Sequence, residues 1–272
     1  MLYLSSAQNG WIKRLKALQA KAKTRKTENA FVIEGFKEID HAINGGYHIE
    51  TLFLKEGEDA NPFAHQISET KHITVSPALF EQICYRKTSK VIAIATCKSH
   101  SLDNYQTKKA CPFFLIAEAP EKPGNIGALL RTADAMGVDC FVLVDPKTDL
   151  YNPNVIRSSV GCLFSVQVVT TTLEGAFEFF NKHKIPVYSA ALTEEAQLYT
   201  AFDFTQPTAI AVGTESEGLS AAWLAQNSTS IIIPMLGQND SLNVSVAAGI
   251  ILAEVQRQRN PSQKQDVFKR NP

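Results

Sequence analysis

The sequence contains no apolar run approaching the roughly 20 residues a membrane-spanning helix requires. Its opening stretch, MLYLSSAQNGWIKRLK, lacks the succession of basic, apolar and small residues that marks a secretory signal, so a cytoplasmic location is expected. The five cysteines (Cys84, Cys97, Cys111, Cys140 and Cys162) are scattered, odd in number and free of any CxxC pair. That distribution speaks against a disulfide framework and a thiolate zinc site, and predicts buried small hydrophobes instead. Six histidines show no HExxH or HxH spacing, and none lies beyond His183, so no metal centre is expected. Internal repeats and low-complexity segments are also missing.

What is present is an ordinary globular composition, with 44% hydrophobic and 20% charged residues in 272, enough chain for two modest domains. The net charge of zero hides a division. Residues 1–110 carry 16 lysines and arginines against 11 acids, and residues 111–272 carry 11 against 16. Such asymmetry points to nucleic acid on the basic side. Between positions 13 and 26 stand Lys13, Arg14, Lys16, Lys21, Lys23, Arg25 and Lys26 without an acid. This run reads either as a solvated helix face or as the partner of a phosphate backbone.

Residues 9–26 have helical periodicity, with Trp11, Leu15 and Leu18 on one side and basic residues on the other. Strand-like segments at 31–33, 49–54, 72–75 and 91–96 alternate with a helix ending at Gly45-Gly46 and another opening after Ser76-Pro77. The polar stretch 99–110 reads as a linker. Beyond it, short apolar runs at 113–117, 140–144, 166–170, 187–190, 209–212 and 231–233 suit strands buried on both faces. Helical segments at 126–136, 173–183, 219–226 and 244–257 lie between or after them, which predicts a doubly wound α/β domain. The expected boundaries are 1–98, a linker over 99–110, 111–260 and a polar tail over 261–272.

In open parallel sheets ligands collect beyond the carboxyl ends of strands, and three segments there carry polar groups. The first, EAPEKPGNIGALLRTADAMG, turns through Gly124 and Gly127 into a helix bearing Asn125 and Arg131. The second, GTESEGLS, is a glycine loop with Glu215 and Glu217, and no lysine occurs from 185 to 263. Phosphate cradles need donors and positive charge, so this loop suits a cationic cofactor without phosphate better than a nucleotide triphosphate. In the third, IIIPMLGQNDSLNVSVAAGIILAEVQRQ, Pro234 stops a strand and Asp240 or Ser241 can cap a closing helix. That helix is apolar around most of its circumference, as core or as a dimer interface.

The succession PGNIGALLRTADAMG, AVGTESEGLS, then IPM followed by SLNVSVAA resembles the three ordered motifs of the SpoU, or TrmH, branch of the SPOUT RNA methyltransferases. The resemblance covers residues 113–258, and the basic helix with FVIEG (31–35) looks like the L30e-like substrate-binding domain found in many members. It implies a small α/β L30e-like domain followed by a C-terminal α/β domain with a parallel sheet and a deep trefoil knot. It also implies a homodimer and S-adenosylmethionine held in the knot. By matching position, cofactor contacts fall on Gly213, Ile233 and Leu242 with Met235 and Leu236 nearby, and the catalytic set on Asn125, Arg131, Glu215, Ser241 and Asn243. Lys13, Arg14, Lys21, Arg25 and Lys26 are the candidate RNA contacts. One departure is that Lys122 separates the acid Glu121 from Pro123, where many members place the acid directly before the proline.

The implied reaction is methyl transfer to a ribose 2′-hydroxyl. The motifs hold no histidine to act as base, and a guanidinium stays protonated, so Arg131 is read as stabilising the developing alkoxide. Asn125, Ser241 and Asn243 would orient the ribose and Arg131, with Glu215 holding Asn125 or its own loop. Ribosomal RNA is preferred to transfer RNA because an accessory domain precedes the knot. The rivals are a transfer-RNA methyltransferase, a non-catalytic RNA-binding protein, and a dinucleotide-dependent oxidoreductase, for which GxGxxG is lacking.

Overall fold

The computed structural model describes residues 2–59, 70–102, 105, 109–226 and 228–260. The expected polar tail, and positions 103–104 and 106–108 of the expected linker, lie outside the described residues. The chain forms two compact units. One comprises residues up to Ser99 with Lys122–Arg131 and Thr148–Ser165; the other takes the remainder.

The N-terminal stretch runs Leu2–Leu4 (β1), Gly10–Ala20 (α1), Ala22–Glu28 (α2), Ala30–Glu34 (β2), Phe36–Asn44 (α3), Ile49–Lys55 (β3), Lys71–Val75 (β4), Pro77–Ile83 (α4) and Val91–Thr96 (β5). The strands form one sheet in the order β1-β4-β3-β5-β2, parallel across β1, β4 and β3 and antiparallel where β5 meets β3 and β2. Asn9 caps α1 by accepting from the Trp11 N–H at 2.9 Å. Ile12, Leu15 and Leu18 recur along one face of that helix and are fully buried in a core with Phe53, Ile73 and Ile92.

The single helix expected over 9–26 is in fact two. Lys21 is extended (φ −122°, ψ 115°), and Arg25 of α2 turns back to donate from Nη1 to the Leu18 and Gln19 carbonyls at 2.6 and 3.2 Å. Carbonyls at a helix end need partners, and the buried guanidinium supplies them here. The break therefore has a local cause that apolar periodicity does not encode.

The rest of the chain runs Phe113–Glu118 (β6), Pro123–Ala135 (α5), Cys140–Val144 (β7), Pro153–Ser159 (α6), Val168–Thr171 (β8), Leu173–Lys182 (α7), Val187–Ala190 (β9), Gln197–Leu198 (β10), Thr208–Val212 (β11), Ala221–Leu224 (α8), Thr229–Ile232 (β12) and Val244–Arg259 (α9). In the first unit α5 crosses α6 at Gly127, where a Cβ would stand 1.9 Å from Ser158 Oγ and 2.7 Å from the Ser159 nitrogen. Glycine is required by that close approach.

The second unit is built on an all-parallel sheet in the order β10-β12-β9-β11-β6-β7-β8. Leu115 of β6 pairs with Ile210 of β11 on one side and Phe141 of β7 on the other. Every residue of β6, β7 and β11 is buried, as the near-continuous apolar runs require. The chain leaves β6 outward through β7 and β8, then crosses to β9 on the far side of β11. Strand order thus reverses between β6 and β11, which makes their carboxyl ends the switch point where ligands bind.

Three expectations are corrected. Asn243, rather than Asp240 or Ser241, caps α9, its Oδ1 accepting from the Ser245 N–H at 3.0 Å. The helix expected over 219–226 shortens to Ala221–Leu224, because Ser220 serves as its cap and accepts from the Trp223 N–H at 3.0 Å. Nor are the cysteines uniformly buried: Cys140 is, Cys84, Cys97 and Cys162 are half-buried, and Cys111 is exposed. Burial pushes the Cys97 thiol up to about 12.

Candidate active site

The carboxyl end of β11 runs directly into the glycine loop. Thr214 and Gly218 exchange backbone hydrogen bonds of 2.9 and 3.1 Å, closing a tight hairpin. Gly218 has φ +70°, and a Cβ on Gly213 would lie 2.0 Å from the Gly218 carbonyl carbon. Only a hydrogen fits at Gly213, so the strand end meets the returning loop as closely as backbone can.

Sequence reasoning overlooked the residue that anchors this loop. Glu118, last in β6 and buried, accepts from the Ser220 N–H at 2.8 Å and from Ser220 Oγ at 2.5 Å. Trp223, three residues beyond Ser220, donates from Nε1 to Ser189 Oγ of β9 at 2.9 Å. The loop is thereby tied to β6 and β9, and the buried polar groups of Glu118, Ser189 and Trp223 find their partners there. The available signal was a carboxylate ending the otherwise apolar strand FFLIAE.

A cavity of about 440 Å³ opens beside the hairpin. Gly213, Glu215, Ile233, Met235, Ser241 and Leu242 all line it. Asn243 joins them indirectly, its side-chain nitrogen donating to Glu215 Oε1. That contact gives Glu215 a partner from the third motif. Leu236 differs: it is 98% exposed and does not line the cavity. Asn125 and Arg131 both stand on α5, within the stretch belonging to the first unit, the former half-buried and the latter exposed.

The basic run behaves less uniformly than its charge suggested. Lys13, Lys21 and Lys26 are exposed. Arg14 is held by Glu28 at 2.6 Å and Glu50 at 3.1 Å. Arg25, expected among the RNA contacts, is 3% exposed and bonded to Asp149 at 2.5 Å as well as to the α1 carbonyls. Burial and these internal bonds from Nε and Nη1 remove it from the RNA-facing set.

Residues 112–253 match the SpoU rRNA methylase family, and residues 9–93 match the MRM3-like substrate binding domain. The chain belongs to the SpoU rRNA methylase family. Among its relatives is the 23S rRNA (guanosine(2553)-2'-O)-methyltransferase RlmP of Bacillus subtilis, 31% identical over 93% of this chain and 98% of that protein. The 23S rRNA (uridine(2479)-2'-O)-methyltransferase of Streptomyces viridochromogenes is 28% identical over 93% and 92%. The solved SpoU methyltransferase AviRb from Streptomyces viridochromogenes, in complex with the cofactor AdoMet, superposes with a TM-score of 0.83 at 28% identity, covering 93% of this chain and 98% of that one.

The cavity of this SpoU methylase fits S-adenosylmethionine. Glu215, Glu217 and Asp240 line it and, among the described residues, no basic side chain does. That balance suits a sulfonium cation and opposes a phosphate. Ile231, Met235 and Leu242 give an apolar wall against which an adenine can lie, and the Gly213 cradle would be filled by any Cβ.

Proposed function

We propose that this chain transfers a methyl group from S-adenosylmethionine to a ribose 2′-hydroxyl of RNA, with ribosomal RNA as substrate. The observation that carries the reading is the convergence of motif residues from the second and third segments on one acidic cavity at the switch point of the second unit. When bound, the cofactor supplies an electrophilic methyl group. Gly213, Ile233, Met235 and Leu242 hold it, and the backbone beside Leu236 completes the loop. Asn243 fixes Glu215, and Ser241 stands at the cavity wall to orient the ribose. Asn125 and Arg131 act on the substrate side, where Arg131 donates to the alkoxide oxygen as it develops and the hydroxyl proton passes to solvent water.

The preference for ribosomal RNA is supported by coverage. Two relatives matching more than nine-tenths of this chain, the B. subtilis and S. viridochromogenes enzymes, are named for 23S rRNA. The tRNA (guanosine(18)-2'-O)-methyltransferase of Thermus thermophilus is 42% identical but over only 53% of this chain. We assign RNA binding to a domain over 1–98 and methyl transfer to a knotted domain over 111–260, joined by 99–110. Lys13, Lys21 and Lys26 supply phosphate contacts. The protein works in the cytoplasm as a homodimer, and exposed Leu242 and Val246 flanking the start of α9 support the pairing. Among the described residues no helix is long and apolar enough to cross a membrane.

Incubation with methyl-labelled S-adenosylmethionine and total unmodified RNA, followed by nucleoside analysis, tests this directly. Label is expected in 2′-O-methyl nucleosides. Label in the bases, or none, contradicts it.

A further inference from the structure

The first unit contains a second cavity, of about 330 Å³, that the proposed reaction does not use. Val32 and Ile83 give it an apolar floor, and Gln19, Asn152, Tyr85 and Arg157 stand around it. Tyr85 is 69% exposed, an unusual place for an aromatic ring unless something covers it. The ring is nonetheless fixed. Glu34 accepts from the backbone N–H groups of Tyr85 and Arg86 at 2.8 and 2.7 Å, which locks the turn after α4. The Arg157 guanidinium lies over the Tyr85 ring with its carbon 3.7 Å from the centroid.

Arg157 lines the cavity, and its guanidinium is held against the Tyr85 ring with Nη1 buried. An exposed aromatic ring, a planar cation stacked against it and a half-apolar hollow are features by which proteins hold unstacked bases. The volume lies at the low end of the roughly 300–1,000 Å³ of small-ligand sites, enough for one nucleotide. The exposed edge of Tyr85 leaves room for a polymer backbone to pass outside, and Lys87 is exposed on the same turn to meet its phosphates.

We propose that this cavity binds a single unpaired nucleotide of the substrate RNA, its base packed against the Tyr85 ring that the Arg157 guanidinium backs. The inference rests on the RNA reading of the chain and names where that RNA is gripped apart from the reacting ribose.

The test measures binding of a fluorescein-labelled, mixed-sequence single-stranded RNA decamer to the full-length protein and its variants by anisotropy. Stacking of one base is worth about 1–3 kcal/mol, so Tyr85→Ala is expected to weaken binding roughly fivefold or more, and Tyr85→Phe to restore it. Arg157→Ala should weaken it similarly. Methyl transfer at saturating RNA and affinity for S-adenosylmethionine should stay within twofold of wild type, with only KM for RNA rising. Unchanged decamer affinity in folded Tyr85→Ala and Arg157→Ala proteins, verified by thermal melting, overturns the proposal. So does displacement of the decamer by free guanosine monophosphate at equal concentration, which would make the cavity a mononucleotide site. A protein that binds the decamer through Tyr85 yet methylates no RNA would retain this site and lose the reading of the reaction.

Discussion

Arg25 and Lys26 are sequence neighbours of like charge, and the fold gives them opposite roles. The Arg25 side chain is 4% exposed, shares its donors between Asp149 and the end of α1, and has its carboxylate partner 124 positions away. Removing Arg25 leaves half-buried Asp149 and the carbonyls at the end of α1 without their donor, so Arg25→Ala is expected to lose about 1–3 kcal/mol, read as a lowered denaturant midpoint. Its RNA affinity, measured where the variant is folded, should stay near wild type. A stable variant with weakened RNA binding would contradict the structural role. Lys13, Lys21 and Lys26 should behave in the reverse manner. Replacing each with alanine leaves stability unchanged and lowers the slope of log affinity against log salt by about 0.7–0.9 for every phosphate no longer neutralised. Charge pattern could not separate these residues, because it is blind to a partner so distant in sequence.

Elements were legible to the extent that burial imposed a period. The runs at 113–117, 140–144 and 209–212 announced β6, β7 and β11 because both faces of these strands are covered. β1, β10 and α6 went unseen, the two strands because segments of three and two residues are too short to display periodicity. The α1–α2 break was hidden for a different reason: its cause is a side chain folding back on carbonyls. At this scale Gly213 makes the sharpest prediction. A methyl group there meets the Gly218 backbone at 2.0 Å, and overpacking against backbone costs about 1–3 kcal/mol. Gly213→Ala should therefore weaken S-adenosylmethionine binding about tenfold by calorimetry, while Gly237→Ala, which meets nothing within 4 Å, should not. Equal effects at both positions would mean that close backbone approach is not what shapes the loop. Glu118 belongs here as well, for its carboxylate joins β6 to the cap of α8 and was signalled only by its place at the end of an apolar strand.

For the whole molecule, the sequence conveyed the division of labour better than the geometry of the site. Ordered motifs named Gly213, Glu215, Ile233, Met235, Ser241 and Leu242, and the fold gathers all six around one cavity. Periodicity alone would never have done so, since that gathering depends on strand order reversing between β6 and β11. α9 buries Val244, Ala248, Ile251, Leu252 and Val255 yet leaves Val246 49% exposed. This helix, read from sequence as core or interface, is thus core along one face and carries an exposed apolar residue at Val246. If Val246 lies in a homodimer contact, Val246→Glu converts the protein to a monomer by light scattering with its thermal midpoint little changed. A dimer that survives the substitution places the contact elsewhere.

The proposed reaction is methyl transfer to a ribose oxygen, with Arg131 as the group that stabilises the developing alkoxide. The most direct test is transfer from labelled S-adenosylmethionine to unmodified 23S rRNA by wild type and Arg131→Ala, with the product mapped by alkaline hydrolysis, which a 2′-O-methyl group blocks. A discrete protected position is expected with wild type, and no transfer by Arg131→Ala despite cofactor affinity within twofold. Full transfer by Arg131→Ala, or label that alkaline mapping fails to locate on a ribose, would contradict it.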